Sequence, residues 1–291
     1  MKKALKTALV LGLLAGGWTV VHAGLAAPQG QNKPLSQQKG GQQGGQAGSQ
    51  PTPEEQQAFT AIQNELDPDR KVQMIADFEK KYPNSSGLAY VYVMAAGSYQ
   101  QKGDVPKVLE YGEKSLKLNG DNLGALLLMS STLPEPQALQ GNDLAKEKKL
   151  TEAEDYANRA IKLVEQLPKQ PNETDEQLQK RRAGASSWAH SSLGMVHLQR
   201  STTGLAGPDT DELAKAQKEY QTAISMTDSP NPGDYFRLGE ALQSSGKLDE
   251  AIDAFTKAGE ADPSGMIKAS ADKQIEVLKS KKAGAKPPEK H

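Results

Sequence analysis

The sequence predicts an all-α protein built from antiparallel helix pairs that stack one after another. Apolar and small residues recur at helical spacing through most of residues 53–279. Clusters of Pro, Gly, Asn and Asp interrupt this pattern at intervals, as turns between helices would. No segment shows sustained alternation of apolar and polar residues, so we expect no sheet.

Residues 1–23 have the pattern of a secretory signal peptide. A basic head contains Lys2, Lys3 and Lys6, and an apolar stretch follows over residues 8–21. That stretch is shorter than the roughly 20 residues that a spanning helix needs. Small residues then permit cleavage after Ala23, with Ala27 as an alternative position. The pattern predicts export to the periplasm or the medium, and a buried N-terminal helix is the alternative.

Two segments flank the predicted folded part. Residues 28–50 contain eight Gln, six Gly and only one large aliphatic residue, Leu35. Such a segment buries too little apolar surface to offset the entropy of ordering. We therefore predict a disordered linker over residues 24–52, a helical domain over residues 53–279 and a disordered basic tail over residues 280–291.

Composition and charge exclude several functions. The 291 residues carry a net charge of −1, which offers no strongly basic face to nucleic acid. They contain no cysteine, so these residues form no disulfide, thiol nucleophile or cysteine-ligated metal site. Hydrophobic residues make up 36% and aromatic residues 5%, which is typical of a helix-rich chain in water.

The clearest helix pair lies near the C-terminus. Its first helix places an aromatic residue, Leu-Gly and a further leucine at fixed offsets, and its second helix has small and aromatic residues at later offsets. These residues are Tyr235, Leu238, Gly239, Leu242, Ala251, Phe255 and Ala258. Gly246 lies between the two groups where a turn is needed, and Pro263 would stop the second helix. The small residues predict close helix packing.

Residues 232–265 resemble the tetratricopeptide repeat, a 34-residue helix–turn–helix unit. More degenerate units begin near Ala89, Leu123 and Leu193, and an earlier helix pair ends at Pro83. Residues 266–279 resemble the capping helix that terminal repeats need. The resemblance implies helix pairs stacked in a right-handed solenoid with a concave groove.

Capping motifs and insertions set other boundaries. Thr174-x-x-Gln177 is a capping box, and Asp209-x-x-Glu212 can begin the helix that carries Ala216. Insertions are predicted over residues 134–149 and 201–210. The Asp209 motif also has a calcium-binding alternative, although a calcium loop needs more ligands and a glycine turn.

The resemblance also implies that a partner protein or peptide binds in the groove. Carried over by position, the groove residues are Tyr90, Val93, Gly97, Leu127, Ser131, Trp188, Ser191, Met195, Phe236, Glu240 and Gln243. For Tyr90 and Phe236 a core position is an equal alternative, whereas Trp188 is predicted to contact the partner. The Lys and Asn with which one subgroup grips C-terminal carboxylates are absent from these positions. The mixture of apolar and uncharged polar groups favours a hydrophobic or helical ligand segment.

No catalytic, cofactor or metal motif is found. His190 and His197 share a helix face but lie about 10 Å apart along the axis, too far for one metal ion. We interpret them as partly exposed helical residues. The basic run Lys180-Arg181-Arg182 is either a solvated helix face or a contact to an anionic partner. The sequence thus predicts a non-enzymatic, exported scaffold, with a glycan- or lipid-binding module as the alternative.

Overall fold

The structure is a computed structural model that describes residues 51–202, 207–262 and 265–284. These residues form eleven helices and no strand, which confirms the all-α prediction. The helices are α1 (Pro53–Asn64), α2 (Pro68–Lys81), α3 (Leu88–Gln101), α4 (Val105–Leu118), α5 (Leu123–Thr132), α6 (Asp143–Glu165), α7 (Asp175–Arg200), α8 (Thr210–Ser225), α9 (Pro232–Ser244), α10 (Leu248–Glu260) and α11 (Met266–Gly284). The predicted signal peptide, the linker as far as residue 50 and Pro263 lie outside the described residues.

Short polar residues begin most of the helices. Thr174 Oγ1 accepts a hydrogen bond from the Gln177 backbone, and Gln177 Oε1 accepts one from the Thr174 backbone. The predicted capping box is therefore confirmed. Asp209 accepts hydrogen bonds from the backbone N–H groups of Asp211 and Glu212 and so caps α8. These bonds satisfy backbone donors that a helix start leaves without intrahelical partners.

Five helix pairs and one terminal helix make up the array. The pairs are α1–α2, α3–α4, α5–α6, α7–α8 and α9–α10, and α11 packs on α10 and α9. The early pair predicted upstream of Pro83 corresponds to α1 and α2. Helix α11 begins at the predicted Met266 but runs to Gly284, five residues past the predicted end of the domain at 279. Leu278 is buried near this end, and an ion pair from Lys282 to Asp249 of α10 holds the last turn.

Small residues allow the paired helices to approach closely. A β-carbon added to Gly239 of α9 would lie 2.7 Å from the Phe255 ring of α10. One added to Gly194 of α7 would lie 2.8 Å from the Tyr220 ring of α8. Both aromatic residues are buried, with at most 1% exposed. The predicted packing of small residues against large ones is confirmed in these two pairs.

The insertion predicted over residues 134–149 is shorter than expected. Helix α6 begins at Asp143, so residues 143–149 are helical. Asn142 caps this helix through a hydrogen bond from the Ala145 backbone, and Leu150 is fully buried. The sequence pattern missed these first turns because their side chains are almost all polar or exposed.

Candidate partner-binding face

One row of helices forms the inner side of the array. Helices α3, α5, α7 and α9, the first members of their pairs, lie side by side and each contacts the next. Within the described residues, the second helices α4, α6, α8 and α10 make no comparable contact with one another. Because one side is packed more closely than the other, the array curves toward the first helices. We call the surface of this row the inner face.

At the α3 and α5 end, the predicted groove residues divide into accessible and buried ones. Tyr90 and Val93 of α3 are half-buried, whereas Gly97 is buried. On α5, Ser131 is half-buried and donates a hydrogen bond to the Leu128 carbonyl. Leu127 is only 5% exposed and belongs to the core. Gly97 and Leu127 therefore offer a partner little side-chain surface.

Trp188 of α7 is half-buried and has two roles open to it. Its ring packs against a buried cluster that includes Leu127 of α5 and Ala160 of α6. It also packs against a second cluster formed by Ala96, Val108 and Leu128. Trp188 therefore helps to hold successive helix pairs together while part of its ring remains accessible.

On α9, the predicted groove residues also differ. Phe236 is 7% exposed, and its ring meets the Phe255 ring edge to face with centroids 5.1 Å apart. The core alternative therefore holds for Phe236. Glu240 and Gln243 are half-buried, as are Ser191 and Met195 of the preceding first helix α7.

Five polar residues come together where α5, α7 and α9 meet. Ser191 Oγ donates a hydrogen bond of 2.5 Å to Asp234 Oδ1. Arg237 Nη1 donates to Glu240 Oε2 at 2.9 Å. Glu135, which follows α5, interacts electrostatically with Arg237. We call Glu135, Ser191, Asp234, Arg237 and Glu240 the inner charge cluster.

Two carboxyl groups of this cluster resist ionisation. Burial raises the pKa of Asp234 to about 7, although the hydrogen bond from Ser191 and the positive charge of Arg237 oppose the rise. Burial likewise raises the pKa of Glu135 to about 7, again opposed by Arg237. Desolvation disfavours a carboxylate unless nearby positive charge compensates for it. One arginine therefore does not fully compensate for the surrounding acids.

The sequence pattern identified Ser191 and Glu240 but missed Glu135, Asp234 and Arg237. Asp234 lies in the first turn of α9, where an acidic residue is ordinarily a helix-start signal. Arg237 lies between the packing positions of the same helix. Glu135 lies in the segment between α5 and α6 and has no position in the repeat pattern. An unusually polar first helix in an otherwise small and apolar row was the available signal.

The remaining titratable candidates serve packing between neighbouring segments. His190 pairs with Glu219 at 2.6 Å and His197 with Glu212 at 2.7 Å, so both histidines link α7 to α8. His197 is 8% exposed rather than partly exposed as predicted, because its imidazole faces that helix. In the described part of the chain, no group of three His, Asp or Glu residues is arranged to hold a metal ion.

The basic run at the start of α7 is held internally. Arg181 pairs with Glu173 at 2.9 Å, and Lys180 pairs with Glu176 at 2.8 Å. Arg182 donates a hydrogen bond to the Leu167 carbonyl at 2.7 Å. Arg181 and Arg182 thus fix the segment before α7 to the helix and are not a purely solvated face.

Comparison with known proteins supports the repeat architecture. The tetratricopeptide repeat family matches residues 235–264. The assembly chaperone of RpL4, Acl4 (residues 1–338), is similar with a TM-score of 0.55 at 12% identity, covering 81% of this chain and 87% of that one. A thermophilic TPR protein of Thermus thermophilus aligns with a TM-score of 0.47 at 17% identity, covering 77% of this chain and 97% of that one.

Two further comparisons bear on what the chain is similar to. No curated protein matches the sequence. Among the described residues, none of the helices combines the length and apolar character that crossing a membrane requires. The fold is therefore that of a tetratricopeptide-like helical solenoid, with one repeat recognised directly from the sequence.

Proposed function

We propose that this chain is an exported scaffold that binds a partner protein through the inner face, within the cell envelope or a secretion pathway. The single observation that carries the proposal is the row of α3, α5, α7 and α9. Curved helix-repeat arrays use such extended surfaces to bind partners. Proteins with tetratricopeptide repeats bind proteins or peptides and are in general not enzymes, so the proposal includes no catalytic role.

The side chains of the inner face support a protein or peptide ligand. Val93, Met195 and part of Trp188 provide apolar contact, and Ser131 and Gln243 provide uncharged polar groups. This mixture suits an extended or helical segment that buries some side chains and hydrogen-bonds others. An oligosaccharide or lipid remains the alternative ligand.

Export is the second part of the proposal. It is supported by the basic head with Lys2, Lys3 and Lys6, the short apolar stretch and the small residues before position 24. N-terminal sequencing of the protein isolated from its native host tests this part. We expect a new terminus after Ala23 or Ala27, and an intact Met1 on the mature protein would contradict export.

Affinity purification from an envelope extract tests the scaffold function. A tagged full-length chain should recover one protein at a fixed stoichiometry. Mass spectrometry of the same eluate for lipids and glycans distinguishes the alternative, which predicts that such a ligand is recovered without a protein. Recovery of neither class would contradict the proposed function.

A further inference from the structure

The inner charge cluster has more negative than positive charge. Glu135, Asp234 and Glu240 contribute three carboxyl groups, whereas Arg237 contributes one guanidinium. The phenol of Tyr220, which also interacts electrostatically with Arg237, Asp234 and Glu240, adds no charge near neutral pH. With all three acids ionised, the cluster would carry two uncompensated negative charges.

The hydrogen bonds within the cluster leave capacity for a ligand. Arg237 is committed to Glu240, and Asp234 accepts from the neutral hydroxyl of Ser191. Within the described part of the chain, the Glu135 side chain makes no hydrogen bond and no ion pair. Asp234 is 3% exposed. Carboxyl groups that are this deeply placed and incompletely paired favour the approach of a cation.

The position of the cluster connects this charge to partner binding. Its members come from the segment after α5, from α7 and from α9, so a chain lying along the inner face would pass over them. Apolar contact is available nearby from Met195, one helical turn beyond Ser191. A basic side chain could therefore reach the carboxyl groups while neighbouring residues of the same partner pack on apolar surface.

We propose that the inner charge cluster binds one lysine or arginine side chain of the partner protein. This inference rests on the proposed function and specifies the chemistry of the partner. The ammonium or guanidinium would donate hydrogen bonds to Glu135 and its neighbouring carboxylates, and such charge-assisted bonds are stronger than neutral ones. A phosphate or carboxylate would instead be repelled by three acids, so an anionic partner group does not fit.

Binding of a cation here carries a consequence for pH. Glu135 and Asp234 hold their protons up to about pH 7 in the unbound chain. An added positive charge stabilises the carboxylate forms, so binding releases protons. The affinity should therefore rise from pH 6 to pH 8, which a purely apolar contact would not produce.

Selection from a displayed library of random dodecapeptides tests the inference. With the full chain as bait at pH 8, we expect enriched peptides to share a lysine or arginine at one aligned position. Replacing that residue by alanine should weaken binding at least about tenfold. The variants Glu135→Gln and Glu240→Gln should lose the same factor, whereas Glu250→Gln on exposed α10 surface should bind like the wild type.

The outcomes separate this inference from the proposed function. Enriched peptides without a shared basic residue, or a basic preference that Glu135→Gln and Glu240→Gln both leave unchanged, would overturn the inference alone. If no peptide is enriched and the envelope extract also yields no protein, both proposals fail. Circular dichroism of each variant confirms that a loss of binding is not a loss of fold.

Discussion

Gly239 of α9 lies directly beneath the ring of Phe255 of α10, so close that a β-carbon at residue 239 would be 2.7 Å from that ring. Gly194 and Tyr220 repeat the arrangement in the preceding pair, at 2.8 Å. Real side chains do not tolerate such distances, so a larger residue must push the helices apart. The spacing within these helix pairs therefore depends on glycine.

Substitution of Gly239 by leucine should destabilise the array. Phe255 is fully buried and cannot move away without disturbing its neighbours. Overpacking of a core typically costs about 1–3 kcal/mol, and we expect a loss of that size in urea denaturation followed by circular dichroism.

Gly184→Ala is the matched control, because Gly184 is also helical but has nothing within 4 Å of an added β-carbon. This change should leave stability unchanged or raise it by up to about 1 kcal/mol, since alanine favours helix. Equal effects of the two substitutions would show that the Gly239–Phe255 contact does not limit the packing.

Replacement of Trp188 by alanine should affect both stability and binding. The ring packs on buried clusters from α3 to α6, so its loss should lower the free energy of unfolding by about 2 kcal/mol, less than for a fully buried ring. Because part of the ring is accessible, the folded fraction should also recover less partner.

Trp188→Phe is the control, since it keeps much of the apolar packing. It should retain most of the stability that alanine loses. Undiminished partner recovery by folded Trp188→Ala protein would remove Trp188 from the binding surface, and an unchanged unfolding midpoint would contradict its packing role.

Asp234 should make the chain less stable as pH rises. Its pKa is about 7 in the folded state against an ordinary value of 3.8, so the folded state binds more protons between these values. The free energy of unfolding therefore falls as pH rises from about 4 to about 7, and the penalty is complete above pH 7. Asp234→Asn removes this penalty while the amide oxygen can still accept the Ser191 hydrogen bond.

The measurement compares urea denaturation of wild type and Asp234→Asn from pH 4 to pH 8. The difference should be smallest at pH 4 and should reach on the order of 3 kcal/mol in favour of the variant at pH 8. Asp253→Asn, on an exposed position of α10, should show no such growing difference. A constant difference across the range would contradict the assigned ionisation of Asp234.

How much the sequence predicts depends on how local each signal is. The pair α9–α10 follows from Leu238, Gly239 and Phe255 because tight packing restricts those positions to certain sizes. The pair α3–α4 is harder, since Gly112 of α4 is small to make room for Met129 of the next pair. That requirement comes from a neighbouring helix and has no counterpart within the repeat itself.

The candidate site is less predictable for the same reason. Ser191 and Glu240 were identified from their repeat positions, whereas Glu135 is brought to Arg237 only by stacking of the helix pairs. Phe236 illustrates the opposite error. Its position fits the groove, but the Phe255 ring draws it into the core. Pairings between distant segments depend on the solenoid geometry, which a pattern of local spacings does not contain.

Site-specific photo-cross-linking in the native host tests the central claim, binding through the inner face, most directly. Benzoylphenylalanine would be placed at Val93 and Gln243 on the inner face, and at the exposed Glu113 of α4 and Lys257 of α10 as controls. The account predicts that both inner positions cross-link to the same protein and that the two control positions do not. Cross-links to that protein from Glu113 and Lys257, with none from Val93 or Gln243, would contradict it.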